Sequence, residues 1–170
     1  MATEDVTMTR PVEPDKFRRA LARHAASVAV VTGPGPIGLT VTSFTSASLE
    51  PPLVSLYVAR SSATWPALRI SRAFAVNMLA SDQADIAARF AERGADRFAY
   101  PTRWRRGPLG VPFLEGAAAW VICERYQAIS IGDHWLLIGL VIDTELSDGA
   151  PPLLYHRRTF GRFHEHRPAI

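Results

Sequence analysis

Ile37-Gly38-Leu39-Thr40-Val41-Thr42-Ser43-Phe44-Thr45-Ser46-Ala47-Ser48-Leu49-Glu50-Pro51-Pro52-Leu53-Val54-Ser55-Leu56 joins two unlike patterns in a single run. Apolar β-formers supply strands at either end. Between and along them sit six hydroxyls, at Thr40, Thr42, Ser43, Thr45, Ser46 and Ser48. A sheet face so dense in short hydroxyls is costly to bury unless each finds a partner. Two readings stand: a solvated Thr/Ser face of an antiparallel sheet, or a face that meets a polar ligand.

Working outward, Ser27 to Thr32 is a β-branched run closed by Gly33-Pro34-Gly35-Pro36, a tight connection. Gly38 to Ser48 is a strand or strand pair, bent where the hydroxyls cluster, and Leu53 to Val58 is a short strand. Pro51-Pro52 before it marks a turn or edge. Asp15 to His24 fits a short helix with Phe17, Ala20 and Leu21 inward. Thr64 is an N-cap candidate for a second helix, with Pro66 in its first turn. Phe74 to Leu79 reads as a strand, and Ser81 to Arg93 as a helix capped by Ser81 or Asp82. Residues 94 to 112, rich in Gly, Pro and Arg, read as a long surface loop. Leu114 to Ser130 and Trp135 to Leu146 are β-rich runs joined by Gly132-Asp133-His134, a hairpin. A last short strand lies within Leu153 to Phe163. The pattern predicts a mainly β closed barrel with helical additions. One domain spans residues 14–165, after a flexible arm (1–13) and before a short tail (166–170).

Composition narrows the class. With 170 residues, 48% hydrophobic and 21% charged, the chain is of ordinary globular make-up. Its longest apolar run, Trp135 to Ile142, is strand-sized, so no membrane span is expected. The first residues are polar and acidic, without the apolar stretch of a signal peptide, which points to the cytoplasm. One cysteine, Cys123, excludes an internal disulfide and a cysteine metal cluster. The pI near 9.5 comes from 18 Arg and the single Lys16, but net charge is only +3 and spread along the chain. Nucleic-acid binders concentrate charge on one face. A small anionic ligand would use a few of these arginines equally well.

Phosphate-binding Gly-rich loops, GxSxG elbows and HExxH motifs are absent from the sequence. The histidines show no metal-ligand spacing, so no metal site is expected. Two features remain. Ser61-Ser62-Ala63-Thr64 at a helix start offers hydroxyls and free amides, suited either to capping or to a phosphate. Gly132-Asp133-His134 sets a histidine at a hairpin turn, either beside a ligand or in a turn whose Asp satisfies its own backbone.

Taken in order, these segments resemble a known family. Phe17-Arg18-Arg19-Ala20-Leu21, Val28-Ala29-Val30-Val31-Thr32, Gly38 to Ser46, Pro51-Pro52-Leu53-Val54 and Ser62-Ala63-Thr64 carry the first half of the likeness. Phe74-Ala75-Val76-Asn77, Ala88-Arg89-Phe90, Gly132-Asp133-His134 and Leu153-Leu154-Tyr155-His156-Arg157 carry the rest. The chain resembles the small flavin reductases of two-component monooxygenases, over roughly Phe17 to Phe163. Two departures are Thr42, where many members carry Asn, and Ala26-Ser27, where Thr-Gly is frequent.

The resemblance implies a six-stranded antiparallel split barrel, Greek-key-like, with short flanking helices, paired as a homodimer. It implies FMN or FAD as flavin and NADH or NADPH as hydride donor. Thr40, Val41, Thr42, Ser43, Ser46, Ala47 and Ser48 would line the flavin, and Ser62 and Thr64 its phosphate. His134 and Arg157 would meet the nicotinamide nucleotide. No protein group need act as nucleophile or acid, because hydride passes between the two ring systems. Reduced flavin would then diffuse to a partner monooxygenase. The alternatives are a split-barrel flavoprotein that keeps its flavin and acts on an organic substrate, and a flavin-binding module without turnover.

Overall fold

The computed structural model describes residues 10–166, so most of the expected arm and all but the first residue of the expected tail lie outside the described residues. After helix α1 (Pro14–Leu21) come β1 (Ala26–Ser27), β2 (Ala29–Gly33) and β3 (Ile37–Val41). Then follow β4 (Thr45–Leu49), β5 (Pro52–Ala59), α2 (Trp65–Ile70), β6 (Ala73–Met78) and α3 (Ala84–Ala91). The second half is nearly all β: β7 (Trp104–Arg106), β8 (Pro112–Leu114), β9 (Ala119–Ile131), β10 (His134–Leu146), β11 (Leu153–His156) and β12 (Thr159–Arg162).

The main sheet has seven antiparallel strands in the order β3-β2-β6-β9-β10-β5-β4. Its two edge strands, β3 and β4, are consecutive in the chain and separated only by Thr42, Ser43 and Phe44. Laid flat, seven strands would hold those edges roughly 29 Å apart. So short a linker reaches about 13 Å at most. The sheet therefore curls until its edges meet where the linker crosses, and stays open elsewhere along the seam. This is a split barrel. The bend expected within Gly38–Ser48 is the seam crossing itself.

The hydrophobic pattern fits that curvature. Ala29, Val31, Val54, Leu56, Val58, Phe74, Val76, Val121 and Leu137, alternate residues of five strands, fill the barrel interior. Trp65 and Leu68 of α2 pack against the same core. The opposite face of β2, with Val30 and with Val28 just before the strand, lies under Ala87 and Phe90 of α3. The opposite face of β6 and β9, with Ala73, Ala75, Trp120 and Ile122, lies under Val111 and Phe113. These strands are buried on both sides, which is why β2 and β6 read as mostly apolar runs, broken only by Thr32 and Asn77, which hydrogen-bond to each other. Gly139 lies against the interior: a Cβ there would stand 2.5 Å from Phe74 and 2.8 Å from Cys123. Cys123 is fully buried, and burial pushes its thiol up to about 12.

Four expectations need correction. Helix α1 turns none of Phe17, Ala20 and Leu21 inward, since all three are exposed. The main sheet has seven strands, not six, because the linker at 42–44 divides the hydroxyl-rich run into two edge strands; β1-β11-β12 and β7-β8 form two smaller sheets. The stretch 94–112 is not all loop: β7 pairs with β8, where Arg105 lies over the stacked Phe113 and Trp120. Helix α3 is shorter than Ser81–Arg93. Gln83 stands at its N-cap, but its amide is drawn away, accepting from the Ala80 N–H and donating to the Glu115 carbonyl. Among the described residues, no helix is long and apolar enough to cross a membrane.

Candidate functional site

A cleft of about 830 Å³ opens where β3, the segment Ser61–Thr64, the loop 93–98 after α3 and the tip of the β9–β10 hairpin converge. Thr40, Val41, Thr42, Ser43, Ser62, Thr64 and His134 all line it. These residues lie far apart in sequence, and the curl of the sheet brings them together. Ser46, Ala47 and Ser48 do not reach it; they lie on β4, whose pairing with β5 slips between Ser46 and Ser48. Arg157 does not reach it either. It lies in the β11–β12 turn, where its N–H donates to the Ala22 carbonyl at 3.3 Å.

The backbone satisfies several of the hydroxyls. Thr40 Oγ1 donates to the Ala87 carbonyl at 2.7 Å and so pins α3 to β3. Ser43 Oγ bridges to Tyr57, accepting from its N–H at 2.9 Å and donating to its carbonyl at 3.3 Å. Thr45 Oγ1 reaches the Ser46 carbonyl at 3.4 Å. What β3 offers the cleft is its edge. It pairs with β2 on one side only, and the carbonyl of Gly38 points away from that partner, toward Thr64 and Arg97. The two-residue period of a strand turns the peptide groups of Thr40 to the same open side. An unpaired strand edge is a row of donors and acceptors for a flat polar ring.

Thr64 occupies the N-cap of α2 without capping it. Its Oγ1 donates to the Gly38 carbonyl at 3.3 Å and accepts from Arg97 Nη1 at 3.0 Å. Arg97 is the residue that the sequence reading missed. Its Nη1 also donates to the Gly38 carbonyl at 2.9 Å, and its Nη2 to the Glu92 carbonyl at 2.7 Å. Its Nε is buried and has no partner among the described residues. No carboxylate pairs with it there; the cleft's Asp96 accepts from the Ala99 N–H instead. A partly buried guanidinium without a counter-charge leaves this wall of the cleft positively charged, which suits an anion. The available signal was Phe98, an aromatic in a polar loop. Its ring packs edge-on against Phe90 and Trp104, next to Arg97 in the chain.

Across the cleft, His134 Nδ1 lies 2.6 Å from Asp133 Oδ1. The hydrogen bond from His134, and then that ring's charge, hold the Asp133 carboxyl below its ordinary value. An ionised carboxylate only accepts, so Nδ1 carries the proton and Nε2 is the nitrogen left for a ligand. Next to it, Trp135 stacks on Trp65 with ring centroids 5.3 Å apart. Among the described residues, no hydroxyl lining the cleft is hydrogen-bonded to a histidine or carboxylate. Nor does any group of three or more His, Cys, Asp or Glu among them suit a metal ion.

Comparison with known proteins agrees with that geometry. A family model described as "Flavin reductase like domain" matches residues 21–164. The chain is 42% identical to an NADH:FMN oxidoreductase of Rhodococcus qingshengii, over 86% of this chain and 80% of the relative. It is 36% identical to the reductase subunit HsaB of a flavin-dependent monooxygenase of Rhodococcus jostii, over 86% and 76%. Among solved structures it is similar to the Streptomyces globisporus NADH:FAD oxidoreductase SgcE6 in complex with NAD and FAD fragments. That match has a TM-score of 0.85 at 32% identity and covers 92% of this chain and 98% of the other.

Proposed function

Because the chain belongs to the flavin reductase like family, we infer that its cleft is where NAD(P)H and flavin meet. The protein is an NAD(P)H:flavin oxidoreductase that supplies reduced flavin to a monooxygenase component. FMN or FAD is the flavin, and NADH or NADPH the hydride donor. The observation that carries this reading is Arg97: a cation without a counter-charge, set beside the open edge of β3, in a cleft large enough for two ring systems. That combination fits a ligand that is flat at one end and phosphorylated at the other.

When bound, the flavin supplies the ring that accepts hydride from NAD(P)H. The chain's work is alignment, which alone lowers a two-body barrier by several kcal/mol (about 7–11 at the limit). The peptide edge at Thr40 and the segment Val41–Ser43 hold the flavin ring. Donors there favour the negative charge that the ring acquires on reduction. Ser62 and Arg97 hold the phosphate, and Thr64 acts by fixing Arg97. His134 Nε2 orients the nicotinamide. Ser46, Ala47, Ser48 and Arg157, which lie off this cleft, meet ligand across a homodimer. The support for pairing is the outer face of β10, where Leu136 lies between the exposed Tyr57 and Ile129, and Ile138 and Leu140 continue the row along the strand. Residence in the cytoplasm is part of the same proposal, since that is where the hydride donor is found.

The test is steady-state oxidation of NADH and NADPH with FMN, FAD and riboflavin in turn. The expected result is a rate that rises with added flavin. A colourless protein whose rate ignores added flavin would overturn the reading. A yellow protein that turns over an organic substrate and needs no added flavin would replace it with that of a retained cofactor.

A further inference from the structure

We propose that Arg60, which does not line the cleft, is a positioning residue for the nicotinamide end of the site: it clamps the tip of the β9–β10 hairpin so that His134 stands over the ligand. The inference rests on the reading of His134 given above.

Arg60 follows the last residue of β5, where the chain leaves the sheet for Ser61 and Ser62 of the cleft. Its main-chain N–H donates to the Asp133 carbonyl at 2.9 Å. Its Nε donates to the Gly132 carbonyl, also at 2.9 Å, and its Nη2 to Ser130 Oγ. The guanidinium lies over the Trp135 ring, 5.2 Å from the centroid. One side chain thus contacts three of the residues around the tip, and its backbone holds a fourth. Trp135 in turn stacks on the buried Trp65, so the clamp rests on the barrel core.

The need for a clamp follows from the hairpin. Both strands run thirteen residues, and the turn between them has only two, Gly132 and Asp133, with Gly132 at φ 51°. Exposed hairpin ends open locally at little cost. His134 pairs with Ala59, the last residue of β5, so nothing further along β5 supports the tip except Arg60. A planar fork does this more fully than an ammonium. It lays one face on the indole while its edge reaches two acceptors.

The experiment compares Arg60→Ala, Arg60→Lys, His134→Ala and the Arg60→Ala/His134→Ala pair. It reads NADH kinetics at saturating flavin, flavin affinity by fluorescence, and amide exchange at the hairpin tip. Arg60→Ala is expected to raise the KM for NADH about tenfold, the loss of one to two net hydrogen bonds. It should leave flavin affinity unchanged and speed exchange over residues 129–135. Arg60→Lys should recover part of the loss. The pair should be no worse than His134→Ala alone, because the arginine acts through the histidine. Unchanged KM and exchange in Arg60→Ala, with a raised KM in His134→Ala, would overturn the clamp while leaving the reading of His134 intact. Multiplying defects in the pair would also overturn it, since Arg60 would then touch the ligand itself. If His134→Ala leaves KM unchanged, the reading of His134 fails, and the clamp's role at the site fails with it even where exchange rises.

Discussion

Ser43 is bonded to both backbone groups of Tyr57, at 2.9 and 3.3 Å, and so stitches the strand linker to β5 at the seam of the barrel. Two bonds from one hydroxyl replace the ladder pairing that β3 lacks on that side. Ser43→Ala is expected to cost about 1 kcal/mol, because Tyr57 is partly exposed and water takes over the freed groups. Urea unfolding measures this, with Ser46→Ala as the reference, since the Ser46 hydroxyl has no hydrogen-bond partner among the described residues. Equal losses in both variants would mean that the stitch holds nothing.

Arg97→Ala should weaken FMN far more than riboflavin, which has no phosphate. Loss of charge-assisted bonds at a partly buried site predicts about 10- to 100-fold for FMN, or roughly 1.5–3 kcal/mol. Ser62→Ala combined with Thr64→Ala should shift affinity in the same direction, Ser62 by losing its own contact with the phosphate and Thr64 through the freed Arg97. Fluorescence titration with both flavins decides it. Parallel weakening of the two would move the phosphate away from Arg97.

The β11–β12 turn holds Arg157 and Arg158 at φ 48° and 65°, left-handed backbone that favours glycine. Arg158→Gly is therefore expected to raise stability by about 0.5–1 kcal/mol despite glycine's greater unfolded-state entropy. Arg157→Gly should do the same while raising the KM for NADH, if Arg157 meets the nucleotide across a dimer. Thermal melts and NADH kinetics on the two variants separate strain relief from ligand contact. A destabilised Arg158→Gly would mean that the turn is not strained.

Asp133 gives a pH dependence with a definite sign. Its folded pKa is lowered below 3.8 by the hydrogen bond and charge of His134. The stability it contributes is thus fully present above about pH 4 and is lost as pH falls through the lower folded value. Denaturation midpoints of the wild type and Asp133→Asn should differ at about pH 6, and the gap should shrink as the pH is taken below about 4. A gap that persists in acid would mean that the carboxylate contributes through something other than its charge.

Pairing through the outer face of β10 predicts that Ile138→Asp yields monomers, as an unpaired carboxylate is costly to bury between two copies of the chain. Sedimentation of both proteins at micromolar concentration tests this. A wild-type monomer that binds flavin tightly would contradict a shared interface.

Much of this was legible in the sequence because the signals are local. Gly132-Asp133-His134 between two apolar runs can hardly be anything but a hairpin, and the run of hydroxyls betrays the bend at residues 42–44. Strand order was not legible, since nothing near Val41 says that its strand and the one beginning at Thr45 lie at opposite edges of a sheet. For the same reason Ser46, Ala47 and Ser48 read as continuous with Thr40, although the seam sends them to the other side. Arg97 was missed because an arginine in a Gly- and Asp-bearing loop looks solvated. Only the tertiary structure shows that Thr64 and Gly38, far away in sequence, are its partners.

Reduced flavin that meets dioxygen before its partner yields hydrogen peroxide, so an enzyme that releases such a product works in its own oxidant. Peroxide attacks thiolates that solvent can reach. Cys123, the chain's only cysteine, lies inside the barrel with a pKa pushed up to about 12, so at neutral pH it is both covered and protonated. The folded protein presents its by-product with no thiolate to oxidise.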